Sequence, residues 1–152
     1  MTRIALGADH AGWELKDTIK AHLQQQGYEI DDRGTSSSES VDYPDFARAV
    51  GDEVAAKHAD LGVLVCGSGI GMAIAANKVP GIRAANVSSE YEAQMCREHN
   101  DANVLALGAR ILDQANALTI VDKFLHTQFA GGRHQRRVDK ITAIENAEIT
   151  KR

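Results

Sequence analysis

The sequence predicts a single-domain, three-layer α/β/α protein with a mostly parallel five-stranded sheet. Three observations lead to this prediction. Short apolar segments alternate with amphipathic ones along the whole chain, as in a series of β-α units. The 152 residues suffice for one substantial core and show no internal repeat or second-domain boundary, so 1–152 is predicted as one unit. Finally, segment 60–78 passes from an apolar strand through three glycines into a helical pattern, as in Rossmann-like sheets.

The first half of the chain alternates two strands with two helices. The predicted elements are a strand at 3–8, a helix at 12–26, a strand at 28–31 and a helix from Pro44 to about residue 57. The first helix carries an apolar stripe at helical spacing and ends before Gly27, since glycine commonly stops helices. This stripe comprises Trp13, Leu15, Ile19 and Leu23. Residues 32–40 are polar and serine-rich, and we expect them to form a loop with Gly34 and Thr35 at the active edge of the sheet.

The second half supplies the remaining elements. They are strands at 61–65, 82–87 and 103–107, and helices at 72–76, 90–98, 113–129 and 133 to about 146. The β-branched residues of 61–65 indicate a strand buried on both faces, which is typical of a parallel sheet. The serine pair at 88–89 can cap the helix that follows it, and the glycine pair at 131–132 ends the long helix before it.

Composition and charge exclude several classes of function. The protein is 43% hydrophobic and 25% charged, with a net charge of −4, which argues against broad nucleic-acid binding. Two cysteines without a paired spacing form neither a disulfide scaffold nor a zinc site, so we expect a reducing, cytoplasmic location. No apolar stretch approaches the length of a membrane span, and no signal peptide is visible.

Cys66 stands where the central strand gives way to the glycine-rich turn. A strand, a glycine turn and a helix together aim backbone N–H groups at an anion, and a helix N-terminus favours the thiolate form of a cysteine. Cys66 can therefore act as a general base or a nucleophile, or it can simply be a small buried apolar residue. The glycine pattern alone is weak evidence because it lacks the full spacing of a dinucleotide-binding loop.

Other polar residues are expected at the same edge of the sheet. The predicted strand ends present Asp9, His10, the 34–35 loop, Ser88 and Arg110. In open α/β sheets, ligands bind outside the carboxyl ends of the strands. These residues would line a polar, partly cationic crevice without a metal-binding group, which indicates a site for a small anionic molecule.

Five motifs in order resemble one family, ribose-5-phosphate isomerase B, which also contains the galactose-6-phosphate isomerase subunits. The motifs are GADHAG at 7–12, DYP at 42–44, CGSGIG at 66–71, AANK at 75–78 and HNDAN at 99–103. The resemblance continues through GGRH at 131–134 and Arg137. It implies a metal-independent, cofactor-free aldose–ketose isomerase of the pentose phosphate pathway, which interconverts ribose 5-phosphate and ribulose 5-phosphate through an enediolate.

The resemblance also implies roles for individual residues. Cys66 would move the proton between C2 and C1. Part of the family uses a glutamate in the next helix instead, but residues 72–76 offer no carboxylate here. Ser68 would assist proton transfer at the sugar oxygens, and His99 would open the furanose ring. The remaining implied site residues are Asp9 and Tyr43, which would position the sugar, Gly67, Gly69, Ile70 and Gly71 of the anion hole, Asn100 beside His99, and the phosphate-binding His10, Arg110, Arg133 and Arg137.

Family members form dimers or dimers of dimers with a shared active site. The resemblance therefore implies a homo-oligomer in which His99 and some arginines come from the partner subunit, with the segment 133–146 reaching across. Three residues near the motifs are expected to have structural roles and no part in catalysis. Arg136 is expected on a solvated face, Cys96 in the core, and Asp101 as a cap or brace for the His99 loop.

Three other functions stay open from the sequence. The closest is an isomerase of the same family that acts on allose or galactose 6-phosphate. A nucleotide-binding or sensory module is a second, although it leaves Cys66 and His99 without a role. A cysteine hydrolase with His99 as the base is the third.

Overall fold

A computed structural model describes residues 2–151 and shows five strands and six helices within them. The strands are β1 (Arg3–Ala8), β2 (Glu29–Asp32), β3 (Leu61–Cys66), β4 (Ala84–Asn86) and β5 (Val104–Gly108). The helices are α1 (Trp13–Gln25), α2 (Tyr43–Ala55), α3 (Ile70–Ala76), α4 (Glu90–Glu98), α5 (Gln114–His126) and α6 (Arg133–Thr150). The predicted α/β class is confirmed.

The strands form one sheet in the order β2-β1-β3-β5-β4, and every neighbouring pair is parallel. The chain moves outward from β1 to β2 and then crosses back to β3 on the other side of β1. The strand order thus reverses between β1 and β3. In open α/β sheets, the crevice at such a reversal, outside the carboxyl ends of the strands, is the usual place for a ligand. Here those two ends carry Asp9 and Cys66.

Helices cover both faces of the sheet and bury a separate apolar cluster on each. Residues of α1, α4 and α5 pack on one face, with Phe124 and Leu23 fully buried. Residues of α2 and α3 pack on the other face, where Met72 and Val50 are fully buried and Cys66 joins the cluster. Successive residues of β3 alternate between the two clusters, because neighbouring side chains in a strand point to opposite faces.

The final helix lies largely outside this core. Of the 18 residues of α6, only Val138 is buried, and Ile141, Ile144 and Ile149 are exposed. The Glu145 carboxylate accepts a hydrogen bond from the Gly81 amide at 3.1 Å, which ties α6 to the turn before β4. A groove of about 570 Å³ lies between α6 and that turn, with Ile82 and Ala84 among its lining residues.

Several predicted boundaries were wrong, among them the start of α3, which begins at Ile70 and not at residue 72. Strand β4 covers only Ala84–Asn86, because the Arg83 amide bonds to the Asn103 side chain instead of a neighbouring strand. Helix α5 ends at His126, since Thr127 is extended and its hydroxyl donates to the Lys123 carbonyl at 2.6 Å. Helix α6 continues to Thr150 rather than ending near 146.

The inward face of α1 also differs from the predicted stripe. Ile19 and Leu23 are buried as expected, but Trp13 and Leu15 are only partly buried. Their place is taken by Lys16, whose side chain is 1% exposed and whose Nζ lies 2.7 Å from Asp32 Oδ1. A buried ammonium is tolerated where it is paired and hydrogen-bonded, and that pairing joins α1 to the end of β2.

Candidate active site

A cleft of about 600 Å³ opens at the carboxyl ends of β1 and β3. It brings together residues from five parts of the chain, namely the ends of β1 and β3, the start of α2, helix α3 and the loop after β5. The lining residues are Asp9, Tyr43, Cys66, Gly67, Ser68, Ile70, Gly71, Ile74, Arg110 and Ile111. Eight of these were predicted as site residues, whereas Ile74 and Ile111 were not.

Cys66 is the last residue of β3 and is 6% exposed. Its sulfur accepts a hydrogen bond from the Gly69 amide at 3.1 Å, and its carbonyl accepts one from the Ala109 amide at 2.8 Å. The strand end and the glycine turn therefore hold the Cys66 sulfur at the cleft, with a backbone N–H group directed at it.

The conformation of the turn requires glycine at residue 69. Gly69 has φ +83, in the left-handed region that side chains disfavour. A Cβ at this position would overlap the amide of Asn86 and lie 2.9 Å from the Leu107 carbonyl carbon. Asn86 in turn donates from Nδ2 to the carbonyls of Ser68 at 3.2 Å and Ala106 at 3.1 Å. These contacts fasten the turn to β4 and β5.

Two amides of the turn already have acceptors inside the chain. The Gly69 amide binds the Cys66 sulfur, and the Ile70 amide donates to the Ser68 hydroxyl oxygen at 3.2 Å. Because Ser68 Oγ acts as an acceptor there, its own hydrogen is left to donate elsewhere. Gly69 and Ile70 thus shape the turn, which differs from the expectation that both donate to a bound oxyanion.

The Asp9 side chain lines the cleft and also binds the backbone just before α1. Its side chain is 7% exposed, and Oδ1 accepts hydrogen bonds from the amides of Ala11 at 2.9 Å and Gly12 at 3.1 Å. One carboxylate oxygen therefore fixes the first turn of the chain after β1. That arrangement holds Asp9 rigidly against the cleft.

Tyr43 and Arg110 line the cleft, and each packs against a glycine that follows Cys66. Tyr43 is the first residue of α2, and its ring packs so tightly on Gly71 that a Cβ there would lie 2.5 Å from Tyr43 Cε1. The Arg110 amide donates to the Gly67 carbonyl at 3.0 Å. Its guanidinium also lies over Gly67, since a Cβ on that glycine would be 3.0 Å from Nη1. Arg110 therefore brings a positive charge next to the turn.

His10 lies beside the cleft rather than in its lining. Its Nδ1 accepts a hydrogen bond from the Val41 amide at 3.2 Å, which leaves Nε2 to bind other groups. The predicted loop residues Gly34 and Thr35 follow β2 and lie beside the end of β1. They exchange backbone hydrogen bonds with Ala8 at 2.7 and 2.8 Å and so extend the pairing along that strand.

A second group of predicted site residues gathers elsewhere in the chain. His99 is the C-cap of α4, and its ring stacks on that of His134 with centroids 4.3 Å apart and an interplanar angle of 13°. Arg133 and Arg137 flank His134 on the exposed first turns of α6. Partial burial, together with the nearby His99, Arg133 and Arg137, lowers the pKa of the His134 imidazole below its usual value.

This second group does not line the Cys66 cleft of its own chain. His99, Arg133 and Arg137 are absent from the residues that line it, and Asn100 lines the groove beside α6 instead. The chain thus carries a cleft with a thiol and, separately, an exposed cationic group with two stacked imidazoles. The resemblance implied that His99 and some of the arginines act in the site of a partner subunit, and in this structure they lie outside the cleft of their own chain.

Several supporting residues were not predicted. Asn86 fastens the glycine turn, the buried Lys16 anchors Asp32, and His134 stacks on His99. A lysine within an apolar stripe is the only one of these features with a visible signal in the sequence. Cys96 was predicted to pack in the core. It is buried as expected, and this burial raises the pKa of its thiol to about 11.

Residues 2–151 contain neither a cluster of metal ligands nor a membrane-spanning helix. No group of three or more His, Cys, Asp or Glu side chains in that part of the chain could hold a metal ion. None of the helices traced there combines the length and apolar character that a membrane crossing requires.

Comparison with known proteins places the chain among sugar isomerases. Residues 4–141 match the family model described as Ribose/Galactose Isomerase. The chain is 52% identical over 145 residues to ribose-5-phosphate isomerase B of Escherichia coli (strain K12), and the match covers 95% of this chain and 97% of that protein. Its structure is similar to that of ribose-5-phosphate isomerase B from Clostridium thermocellum, with a TM-score of 0.96, 51% identity, and coverage of 97% of this chain and 99% of that one.

A further similar structure contains a bound sugar phosphate. It is ribose-5-phosphate isomerase B from Mycoplasma genitalium with bound ribulose-5-phosphate. The TM-score is 0.91 at 44% identity, and the similarity covers 95% of this chain and 97% of that one.

Proposed function

The chain belongs to the ribose/galactose isomerase family, and we propose that it interconverts ribose 5-phosphate and ribulose 5-phosphate through an enediolate, with Cys66 as the base. One observation carries the assignment of the base. The Cys66 sulfur lies in the cleft at the strand-order reversal and accepts a hydrogen bond from the Gly69 amide at 3.1 Å. Within α3, residues 70–76 offer no carboxylate that could replace it.

The reaction needs a base and a stabilised oxyanion at the same carbon centre. The Cys66 thiolate removes the proton from C2 of the open-chain sugar and delivers it to C1, and a positioned base of this kind contributes roughly 10²–10⁴-fold. The charge that develops on the sugar oxygen is stabilised by the turn amides that the structure has not already committed, those of Gly67, Ser68 and Gly71. Such preorganised donors are worth about 10²–10³-fold each.

The remaining cleft residues position the sugar and move its hydroxyl protons. Ser68 donates its hydroxyl hydrogen to the sugar oxygens, which fits an Oγ that accepts from the Ile70 amide. Asp9 and Tyr43, which line the cleft together with Cys66, hold the sugar chain. The phosphate is bound by His10, Arg110, Arg133 and Arg137.

We propose that two copies of the chain form each complete site. His99, which opens the furanose ring, and the arginines of α6 do not line the Cys66 cleft of their own chain. Furthermore, Ile70, Ile74 and Ile111 around the cleft are 56%, 59% and 64% exposed. A contiguous apolar rim of this kind marks a surface that another protein covers. A partner subunit would supply both the cover and the His99 group, in a dimer or a dimer of dimers.

We also propose a cytoplasmic location. Both cysteines are free and buried, and a thiol base works only while it stays reduced. The substrate belongs to the pentose phosphate pathway, which places the enzyme in carbohydrate metabolism. Because the chain belongs to an isomerase family, we no longer favour a nucleotide-binding module or a cysteine hydrolase. It leaves the hexose alternative open, because the family description includes galactose isomerases.

The experiment is turnover of ribose 5-phosphate in deuterated water, with kcat/KM measured in parallel on allose and galactose 6-phosphate. A thiol base that exchanges its proton with solvent between the two transfers predicts ribulose 5-phosphate that carries deuterium at C1. We expect kcat/KM to be at least about tenfold higher for the pentose. A higher kcat/KM on allose or galactose 6-phosphate would mean that the enzyme isomerises a hexose phosphate by the same mechanism. No turnover of any of the three would contradict the isomerase assignment.

A further inference from the structure

The turn that follows His99 has a backbone conformation that needs outside support. His99 ends α4, and residues 100–103 lead into β5. Asp101 lies within this turn at φ +47, in the left-handed region that residues other than glycine adopt only rarely. The position of His99 therefore depends on contacts that hold the turn from elsewhere in the fold.

The first support is Arg83, which lies just before β4. Its Nε donates to the Asn100 carbonyl at 2.9 Å, and its Nη2 donates to the Asp101 carbonyl at 2.9 Å. Nη2 also lies 3.4 Å from Asp101 Oδ2. One guanidinium thus binds the two carbonyls that directly follow His99.

The second support is Arg97, which lies in the last turn of α4. Its Nη1 donates to Asp101 Oδ1 at 3.1 Å and to the Ala102 carbonyl at 2.5 Å. The same guanidinium lies over the Phe124 ring at 5.6 Å, and its Nε donates to the Thr127 carbonyl at 3.2 Å. Helix α5 therefore fixes Arg97, and Arg97 fixes the turn.

Together the two arginines bind three consecutive carbonyls and both carboxylate oxygens of one aspartate. Their side chains are only 24% and 13% exposed, so these charge-assisted hydrogen bonds are partly shielded from water. A planar guanidinium presents several donors in a fixed fork, and a lysine cannot reproduce this geometry.

We propose that Arg83, Arg97 and Asp101, together called the arginine clamp, are positioning residues that set the direction of the His99 imidazole. The inference rests on the ring-opening role proposed for His99. Without the clamp, the peptide units at 99–102 can rotate, and His99 leaves its stacking position on His134. A misplacement of about 1 Å in a reacting group can lower the rate about 10²-fold, so the clamp matters to the reaction without touching the sugar.

The first test is a double-mutant cycle between Arg83→Met and His99→Ala, with kcat/KM on ribose 5-phosphate. We expect Arg83→Met to lower kcat/KM by about tenfold to 10²-fold in the wild-type background, mainly through kcat. In the His99→Ala background the same change should matter less than about twofold, since no imidazole is left to position. Arg83→Lys should fall near Arg83→Met because it loses the fork.

The second test needs no turnover and therefore stays informative if the proposed reaction is wrong. Stacked rings shift each other's proton resonances, so the NMR signals of the His99 and His134 rings report their contact directly. Arg83→Met should move both signals toward the positions of unstacked imidazoles. Should Arg83→Met not fold, Asp101→Asn, which keeps the shape and removes the charge, takes its place in both tests.

Arg48→Met is the matched control. Arg48 is also an arginine paired with an aspartate, but its side chain is 80% exposed, and it lines neither the Cys66 cleft nor the groove beside α6. It should leave kcat/KM and both imidazole signals unchanged. Equal losses from Arg83→Met in the two backgrounds, a fully active His99→Ala, or unmoved imidazole signals would each overturn the clamp's role.

Discussion

The amide of Gly69 points at the sulfur of Cys66 and donates a 3.1 Å hydrogen bond to it. This pairing joins the strand that carries the thiol to the turn that begins α3. It makes the two cysteines of the chain chemically different. Cys66 has a donor at its sulfur and faces a cleft, whereas Cys96 is buried in the core and its own thiol donates to the Ala93 carbonyl at 3.2 Å.

Iodoacetamide should therefore modify Cys66 selectively. With its pKa raised to about 11, Cys96 has fewer than about one thiol in a thousand ionised at pH 7.5, so it reacts slowly. Peptide mass mapping should find the first label on Cys66, with loss of activity and protection by ribose 5-phosphate. Cys96→Ala should be inactivated at the same rate as the wild type. Preferential labelling of Cys96 would contradict the distinction.

Replacing Gly69 by alanine should disable the turn. The change combines the strain of a left-handed φ, about 1–2 kcal/mol, with overlap between the new Cβ and the Asn86 amide. We expect kcat/KM to fall at least about tenfold, because the Gly69 amide would no longer face the sulfur. Gly27→Ala is the control, since Gly27 has φ +91 but no atom within 4 Å of the added Cβ. It should lose only stability, measured by urea unfolding, and a Gly69→Ala enzyme with normal activity would contradict the role of the turn.

The buried pair of Lys16 and Asp32 should make stability depend on acid pH. Burial alone would raise the pKa of the Asp32 carboxyl, but hydrogen bonds from Lys16, the Gly34 amide and Lys20 outweigh it and lower the pKa below its usual value. The lowered pKa means that this stabilisation is complete above about pH 4 and is lost as the pH falls further. Below about pH 4 the wild type should therefore lose stability more steeply than Asp32→Asn, as urea midpoints would show.

At neutral pH, the same Asp32→Asn variant should be destabilised by about 3 kcal/mol, because the 1% exposed Lys16 loses its main partner. The double variant Lys16→Met/Asp32→Asn is the control. It leaves no unpaired buried charge and should recover part of the loss. Identical pH profiles for the wild type and Asp32→Asn would show that the pair does not contribute in this way.

The shared site predicts complementation between two inactive variants. Cys66→Ala and His99→Ala should each be impaired alone. After unfolding and refolding in equal amounts, half of the dimers are mixed, and each mixed dimer holds one site with both residues intact. About one quarter of the wild-type activity should therefore return. A mixture no more active than its components would mean that both residues act within one chain.

The sequence predicted the sheet and the cleft because both depend on local signals. A β-branched run that stops at glycine places Cys66 at the end of a buried strand, whatever the rest of the chain does. The helix boundaries of α5 and α6 were less accurate, since Thr127 leaves the helix although nothing before it breaks the pattern. The position of Lys16 could not be predicted either, because only its partner Asp32, 16 residues away, makes burial of the ammonium favourable.

Contacts between distant segments account for most of what was missed. His99 and His134 are 35 positions apart in the chain, and neither local pattern indicates that their rings stack. Nothing in the sequence distinguishes Asn86 from other strand residues. Only the structure shows that its side-chain amide donates to the Ser68 carbonyl. The separation of the His99 group from the Cys66 cleft was implied only by the family resemblance, because no local pattern in the chain indicates it.

The most direct measurement is the conversion of ribose 5-phosphate to ribulose 5-phosphate in excess chelator, by the wild type, Cys66→Ala and Cys96→Ala in parallel. The account predicts that the wild type and Cys96→Ala keep their activity, while Cys66→Ala loses at least about 10²-fold in kcat and still binds the sugar phosphate. A Cys66→Ala enzyme with wild-type turnover would contradict the thiol base.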